Sequence, residues 1–314
     1  MYRLTDSGLV LLSNILFSTE KSYIYIIVLH ASLQKPLHLF ATSMSPMSID
    51  DKMHSIVEAL KKRGSALIAF SGGVDSSVLA ALAYRALGDR ALAVTADAPT
   101  LAPGELDGAK QVAKEIGIRH LIIFYDELDE PGFAKNPVDR CYYCKKGLIR
   151  EIKKIAEQYG INTIIEGTNY SDLKAHRPGH RAVTEEGIYN PYIEFGVTKE
   201  EIREMARMLD LSVADKPSMA CLSSRFPYGQ AITHEALKRV GEAEEYLRKM
   251  GFEVVRVRDH GGIARIEILP DEMARLLEMR DAVAAELKGL GFTYVTLDFL
   301  GFRSGSMDEV LFKS

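Results

Sequence analysis

The 314-residue chain has no tryptophan, only three cysteines and no apolar run long enough to cross a bilayer. Three cysteines are too few for a disulfide framework, and their odd number favours a reducing compartment, so we expect a cytoplasmic protein. The longest apolar stretches, residues 10–17 and 23–29, fall short of the roughly 20 residues that a transmembrane helix needs. We therefore expect no membrane partner. A net charge of −4 provides no general attraction for nucleic acid, so we expect no nucleic-acid partner either.

Two patterns of hydrophobic residues divide the chain. Residues 1–47 have weak periodicity, and we predict a poorly ordered leader there. Over residues 48–229, short apolar runs that suit buried strands alternate with helical patterns, which predicts an α/β domain with a doubly wound parallel sheet. Residues 230–314 instead show a helix, two alternating strands joined by a turn, a second helix and a closing strand. We therefore predict a second, smaller α+β domain at the C-terminus, for substrate binding or oligomerisation.

A glycine-rich turn lies between the first predicted strand, residues 66–70, and a predicted helix over residues 78–87. Its sequence is Ser71-Gly-Gly-Val-Asp-Ser-Ser77. Glycine allows positive φ and close approach of a ligand, while helix-start amides and serine hydroxyls can surround a phosphate group. The Walker lysine is absent, which excludes that type of phosphate loop. An ordinary strand-to-helix turn is the alternative. The candidate phosphate-binding residues are Ser71, Gly72, Gly73, Asp75, Ser76 and Ser77.

The three cysteines stand in a pattern that suits metal binding. Cys141-Tyr-Tyr-Cys144 precedes a helix predicted over residues 145–159, and Cys221 lies in a later loop. A CxxC pair alone is compatible with redox chemistry, a metal or a structural role. Structural zinc normally takes four ligands, whereas three thiolates on an iron–sulfur cluster leave one iron without a protein ligand. We favour the cluster, with zinc, or two buried cysteines and an incidental thiol, as the alternatives.

Three polar residues lie within four positions after the third cysteine. Ser223, Ser224 and Arg225 place two hydroxyl groups and a cation beside the thiol of Cys221. Loops rich in proline, glycine and serine are usually plain surface loops. Here a residue of the nucleophile class stands next to a cation, which favours a functional role.

Three arginines in the second part of the chain form a candidate anion clamp. Arg256 and Arg258 stand two apart on a predicted strand and therefore share a face, and Arg303 follows the last strand. Arginine binds carboxylates and phosphates through two parallel hydrogen bonds. A solvated strand face paired with surface acids is the alternative. Glu244 and Glu267 could orient these arginines or contact a substrate.

The glycine-rich turn resembles the SGGxDSS signature of the PP-loop ATP pyrophosphatases. These enzymes cleave ATP between the α and β phosphates and adenylate a carboxylate or carbonyl oxygen. The resemblance implies that residues 71–77 hold pyrophosphate, that Asp75 lies near magnesium, and that Thr95 and Asp97 lie against the adenosine. Glu166-Gly-Thr-Asn169, with Asp172 after it, is similar to a fourth-strand loop of that superfamily.

Further segments resemble the LarE family of ATP-dependent sulfur transferases, from about residue 50 to the C-terminus. They are Ser223-Ser-Arg-Phe-Pro-Tyr-Gly229, Arg177-Pro-Gly179, Ile263-Ala-Arg-Ile-Glu267 and Gly301-Phe-Arg-Ser-Gly305. This family makes the organic part of the nickel-pincer nucleotide, the cofactor of lactate racemase. The resemblance implies ATP and Mg²⁺ as cofactors and pyridinium-3,5-biscarboxylate mononucleotide as the substrate, whose carboxylates are adenylated and then converted to thiocarboxylates.

The LarE family draws sulfur from two sources. One subtype sacrifices a cysteine at the position where this chain has Ala220. The other is similar to this chain in its CxxC pair and later cysteine, and it binds a [4Fe–4S] cluster that passes on a sulfide. The implied cluster ligands are Cys141, Cys144 and Cys221. The implied catalytic residues are Cys221, Asp75 and Arg225, and the implied substrate-binding residues are Ser224, Arg225, Arg256, Arg258, Arg303 and Glu244.

Three other functions compete with this interpretation. A tRNA 2-thiolation enzyme shares the ATP loop, but the charge and the cysteine count argue against it. An amidotransferase-like pyrophosphatase, such as an NAD or GMP synthetase, leaves the thiols and arginines unexplained. A non-catalytic nucleotide-binding or iron–sulfur scaffold is the remaining alternative. Besides its small-molecule substrate, we expect the protein to have copies of itself as partners in a homo-oligomer.

Overall fold

A computed structural model describes residues 47–174, 178–217 and 219–312. The predicted leader, apart from residue 47, and Arg177 of the Arg177-Pro-Gly179 segment lie outside the described residues. Lys52–Ser314 form one compact unit, and the boundary proposed at residues 229 and 230 stays a prediction. In the other unit, Met1–Asp51, the Ser48 hydroxyl accepts a hydrogen bond from the Asp51 amide (3.1 Å) and caps the first helix. Among the described helices, none has the length and apolarity that crossing a bilayer requires.

Strands and helices alternate in the first part of the chain. Their bounds are α1 Ile49–Arg63, β1 Ala66–Ala69, α2 Val74–Leu87, β2 Ala91–Asp97, α3 Glu105–Ile116, β3 Arg119–Phe124, α4 Arg140–Gln158, β4 Ile164–Ile165, α5 Pro178–Glu185, α6 Pro191–Glu194 and α7 Lys199–Met208. The four strands form a parallel sheet in the order β3-β2-β1-β4, which confirms the α/β prediction. The chain order reverses beside β1, so the carboxyl ends of β1 and β4 flank the crevice where such sheets bind ligands.

The second part of the chain contains α8 His234–Lys249, β5 Arg256–Asp259, β6 Ile263–Glu267, α9 Met273–Glu278, α10 Arg280–Gly289, β7 Tyr294–Leu297 and α11 Glu309–Phe312. β5 and β6 are antiparallel and β7 is parallel to β6, which confirms a smaller α+β arrangement. Between β6 and β7 the sequence predicted one helix, and that prediction is wrong. Two helices meet at Met279, whose φ of −96° and ψ of 7° lie outside the α-helical region.

Two helices begin earlier than the sequence predicted. α2 begins at Val74 instead of residue 78, so Ser76 and Ser77 lie in its first turn. α4 begins at Arg140 instead of residue 145. The expectation that Cys141 and Cys144 precede the helix is therefore wrong, because both lie in its first turns. Neither Val-Asp-Ser-Ser nor Cys-Tyr-Tyr-Cys contains a helix breaker, and a spacing of three residues keeps both thiols of the latter on one side of the helix.

The apolar core of the second part of the chain includes residues from the loop that contains Cys221. α8 packs against β5 and β6 through an apolar cluster that includes Val240, Leu247 and Val257. Leu222 and Phe226 belong to the same cluster and are at most 3% exposed. Burying side chains of that size fixes the backbone around Cys221, so residues 219–226, here called the cysteine loop, have a rigid support.

Candidate functional site

The phosphate loop, residues 71–77, has a conformation that its first glycine makes possible. Gly72 has φ +68°, and a Cβ there would lie 2.6 Å from the Cα of Ala109. The Ser71 amide donates to the Ser76 hydroxyl (3.2 Å), which donates to the Gly73 carbonyl (3.1 Å). The Ser77 hydroxyl is buried and has no partner among the described residues. The start of α2 therefore presents amides and a hydroxyl to an anion.

Asp75 is held by residues from three other elements. Its carboxylate accepts a hydrogen bond from Asn169 Nδ2 (3.3 Å) and pairs with Lys199 Nζ. Tyr192 donates from its hydroxyl to the Asp75 carbonyl (2.9 Å). Neither Lys199 nor Tyr192 was among the candidate residues predicted from the sequence. A signal for the lysine was present, because the Thr198–Glu201 capping box marks a helix start that places Lys199 in the first turn.

The two predicted adenosine contacts differ in their surroundings. Thr95 is buried, its hydroxyl donates to the Phe70 carbonyl (2.9 Å) and it lies 2.8 Å from His120 Nε2. Burial, and secondarily the charge of Lys110, lowers the pKa of His120. Asp97 is exposed at the carboxyl end of β2. Of the two side chains, that of Asp97 is the one open to a nucleotide.

The charge of Cys221 influences the pKa of both thiols in α4. Burial raises the pKa of Cys141, and the charge of Cys221 raises it further. The pKa of Cys144 rises well above its usual value because of burial, then through the charges of Glu127 and Cys221. Cys221 Sγ lies 2.9 Å from the Ser223 hydroxyl. Within the described residues, no group of three or more His, Cys, Asp or Glu side chains could hold a metal ion as arranged.

A chain of contacts connects the thiols with the phosphate loop. Lys145, next to Cys144, pairs with Glu166 at the end of β4 (3.4 Å). The following residue, Gly167, lies so close to α2 that a Cβ there would stand 3.2 Å from the Asp75 carbonyl carbon. Thiols and phosphate loop therefore occupy the same end of the parallel sheet.

Arg225 holds the cysteine loop in place. It is fully buried, and its Nε and Nη2 donate to the two oxygens of Glu244 (2.7 and 2.9 Å). Its Nη1 donates to the carbonyls of Ala220 (3.0 Å) and Cys221 (3.3 Å) and to the Ser224 hydroxyl (2.7 Å). These contacts involve all three nitrogens of the guanidinium, which therefore fixes the backbone around Cys221.

The other three candidate arginines have unequal partners. Arg258 donates to Glu267 (2.7 Å) and to the Ser224 carbonyl (3.1 Å), while the half-buried Arg303 pairs with Glu309 (3.1 Å). Arg256 is 7% exposed and has no carboxylate within ion-pair distance among the described residues. Burial, and then the charge of Arg225, lowers the pKa of Arg256 to about 10. Of these three arginines, Arg256 is therefore the one whose charge an incoming anion would compensate.

Comparisons with known proteins find one matching family model and several relatives. The sequence model of a family described as asparagine synthase matches residues 49–130, which include the phosphate loop. An uncharacterised protein of Synechocystis is 42% identical over 269 residues (84% of this chain, 100% of the relative). The pyridinium-3,5-bisthiocarboxylic acid mononucleotide synthase of Lactiplantibacillus plantarum is 37% identical over 264 residues (84% and 96%).

A more distant relative has a different activity in its name. It is one of the subunits of the glutamine-hydrolyzing GMP synthase of Halobacterium salinarum, and it is 30% identical over 285 residues (83% of this chain, 92% of the relative). Both relatives with a named activity match the phosphate-loop half of the chain, and the Lactiplantibacillus synthase has the higher identity. On this identity and coverage, the chain belongs to the LarE family of the PP-loop superfamily.

Proposed function

We propose that the protein is an ATP-dependent sulfurtransferase that converts the carboxylates of pyridinium-3,5-biscarboxylate mononucleotide to thiocarboxylates, in the biosynthesis of the nickel-pincer nucleotide. The observation that carries the proposal is the contact chain from Cys144 through Lys145 and Glu166 to the phosphate loop. It connects the residues that would activate an acyl group with the thiols that would take part in sulfur transfer. The likeness to the Lactiplantibacillus synthase supports the choice of substrate.

The phosphate loop serves the first step, adenylation. A substrate carboxylate oxygen attacks the α-phosphorus of ATP, the bond to the bridging oxygen breaks, and pyrophosphate leaves with the electron pair. The amides at the start of α2 and the Lys199 ammonium stabilise the negative charge that develops on the leaving group. Asp75 would hold Mg²⁺ there, and Asp97 would contact the nucleoside.

The second step replaces AMP by sulfur. A sulfur nucleophile forms a bond to the acyl carbon, and the bond from that carbon to the phosphate oxygen breaks as AMP leaves. Arg256 and Arg303 would bind the anionic groups of the mononucleotide. Arg225 and Arg258 position the cysteine loop and do not bind substrate, because their guanidinium groups are already paired with Glu244 and Glu267. Water must be excluded, since it would hydrolyse the adenylate.

Cys141, Cys144 and Cys221 would hold a [4Fe–4S] cluster. A single metal ion needs its ligands around one point, whereas each thiolate of a cluster binds a different iron. Cys141 and Cys144 stand three residues apart in α4, and the charge of Cys221 influences the pKa of both, which supports a site shared by the three thiols. When bound, the cluster would supply an iron with an open coordination position that can carry a sulfide.

Pyrophosphate release tests the proposed function. The purified full chain is incubated anaerobically with ATP, Mg²⁺ and one acceptor at a time: the pyridinium biscarboxylate mononucleotide, xanthosine monophosphate with ammonia, or unmodified tRNA. We expect release that depends on the pyridinium compound alone. Release stimulated by xanthosine monophosphate or tRNA instead would assign the protein to one of the rival activities.

Replacement of Lys199 by methionine is expected to slow pyrophosphate release by about 10²–10³-fold, the usual effect of removing one charge-stabilising group. Methionine keeps much of the length of the side chain but removes the ammonium that pairs with Asp75. The matched control is Lys52→Met, because Lys52 also contacts α7 but binds Glu201 and the Gly196 carbonyl, away from the phosphate loop. Equal rates of pyrophosphate release in the two variants would show that Lys199 does not stabilise the leaving group.

A further inference from the structure

Two charged residues in the contact chain between the thiols and the phosphate loop, Lys145 and Glu166, have no role in the two steps described above. Glu166 is buried, and its Oε1 accepts hydrogen bonds from the Thr168 amide (3.1 Å) and from Asn190 Nδ2 (2.7 Å). Its other oxygen, Oε2, faces Lys145 Nζ at 3.4 Å. Neighbours other than the lysine therefore fix Glu166 in place.

The ammonium of Lys145 has donors to spare. A lysine ammonium carries three N–H donors. Among the described residues, Glu166 is the one acceptor bonded to Lys145 Nζ, and their separation of 3.4 Å is longer than that of a usual N–H···O hydrogen bond. About a third of the side chain is exposed (32%). The ammonium can therefore bind a second anion while it stays beside Glu166.

Lys145 lies between the thiols and the phosphate loop. It stands four residues after Cys141 in α4, so the two residues share one side of the helix. A Cβ added at Gly179 would lie 3.4 Å from the Cys141 carbonyl oxygen and 3.8 Å from the Lys145 Cβ. On the other side, Glu166 is followed by Gly167, which packs against the start of α2. An acyl group activated at the phosphate loop and attacked from the thiols would therefore lie beside this lysine.

The two steps of the proposed reaction create negative charge on different groups. During adenylation, the charge develops on the departing pyrophosphate, beside Lys199. During sulfur transfer, the carbon–oxygen bond of the acyl adenylate breaks and its electron pair goes to the phosphate oxygen, so the α-phosphate changes from one negative charge to two. Electrostatic stabilisation acts where charge develops. The second step therefore needs a cation beside the α-phosphate.

We propose that Lys145 is a catalytic residue of the sulfur-transfer step, whose ammonium binds the α-phosphate of the acyl adenylate and stabilises AMP as the leaving group. The inference rests on the proposed function. The nucleophile supplies the electron pair of the new bond to the acyl carbon, AMP takes the pair of the broken carbon–oxygen bond, and no redox change occurs. Glu166 is a positioning residue that holds the ammonium in place.

Measuring the two steps separately tests this role. Full-length Lys145→Met is mixed with ATP, Mg²⁺ and the pyridinium biscarboxylate mononucleotide, and hydroxylamine serves as the nucleophile so that the result does not depend on the sulfur source. Pyrophosphate release reports adenylation, and AMP release with hydroxamate formation reports displacement. We expect pyrophosphate release in the first turnover at the wild-type rate and AMP release about 10²–10³-fold slower, the usual effect of removing one charge-stabilising group. Lys145→Arg keeps the positive charge and should recover most of the rate of AMP release.

The matched control is Lys146→Met. Lys146 is the next residue of α4, but its exposed side chain contacts Tyr142 and Glu185, so both steps should proceed as in wild type. Equal slowing of the two steps in Lys145→Met would show that the lysine only supports Glu166, and it would overturn the proposal. AMP release at the wild-type rate in Lys145→Met, or as slow in Lys145→Arg as in Lys145→Met, would overturn it as well. A wild-type chain that releases no pyrophosphate would instead refute the proposed function.

Discussion

Replacing Glu244 by glutamine is expected to lower the free energy of unfolding by about 3–5 kcal/mol, the cost of removing one partner of a buried ion pair. Both Glu244 and Arg225 are fully buried, and a second arginine, Arg248, donates to Glu244 at 2.6 Å. The variant leaves two guanidinium groups without their shared anion. Chemical denaturation of the variant and the wild type measures the difference.

The matched control is Glu245→Gln on the same helix. Glu245 pairs with Lys249 at 2.7 Å, but both side chains are exposed. Exposed pairs contribute about 0–1 kcal/mol. Similar losses of stability in the two variants would contradict the view that Glu244 anchors the cysteine loop through Arg225.

Acid should reveal the same ion pair. Burial alone would raise the pKa of Glu244, but the hydrogen bond and charge of Arg225 lower it below its usual value. A carboxyl group whose native pKa is lowered stabilises the fold above its unfolded pKa, and this contribution is lost as the pH falls through the native pKa. We therefore expect a smaller loss of stability on acidification in Glu244→Gln than in wild type.

Replacing Cys221 by alanine is expected to reduce the iron content after anaerobic reconstitution from about four iron atoms per chain to a small fraction of that amount. The reason is that two thiolates cannot retain the cluster. Cys221 is also the one thiol of the three that lies outside α4. Without this thiol, the cysteine loop contributes no ligand to the proposed cluster. Iron analysis and visible absorbance measure the effect, and full iron content in the variant would exclude Cys221 as a ligand.

The control keeps three thiols but moves one of them. In Ala220→Cys combined with Cys221→Ala, the thiol stands one position earlier, where the cysteine-sacrificing subtype would have it. The Ala220 carbonyl is held by Arg225, so the loop cannot easily shift to restore the ligand. We expect iron to stay low. Iron restored to the wild-type amount would show that thiol number matters and position does not.

Most of the fold was predictable because it depends on local patterns. Apolar runs such as residues 66–69 and 91–94 are buried on both faces and could only be central strands. The capping box at Thr198, a helix-start signal that can be read from the sequence, begins α7. The predictions failed at helix boundaries, in α2, α4 and at Met279, because hydrophobic periodicity defines the middle of a helix and its ends depend on hydrogen bonds of a few residues.

The amino-acid sequence by itself was enough to predict the phosphate loop and the candidate ligands. The prediction depends only on residue types and their order, such as Gly72, Ser77 and the CxxC spacing. The tertiary structure alone decided what these groups contact. Lys199 reaches Asp75 across 124 positions of sequence, and Arg258 reaches the Ser224 carbonyl of the cysteine loop across 34. Contacts between distant residues arise from how strands and helices pack, which no local pattern encodes. These contacts determine which buried charges have a partner within the protein and which are left for a ligand to compensate.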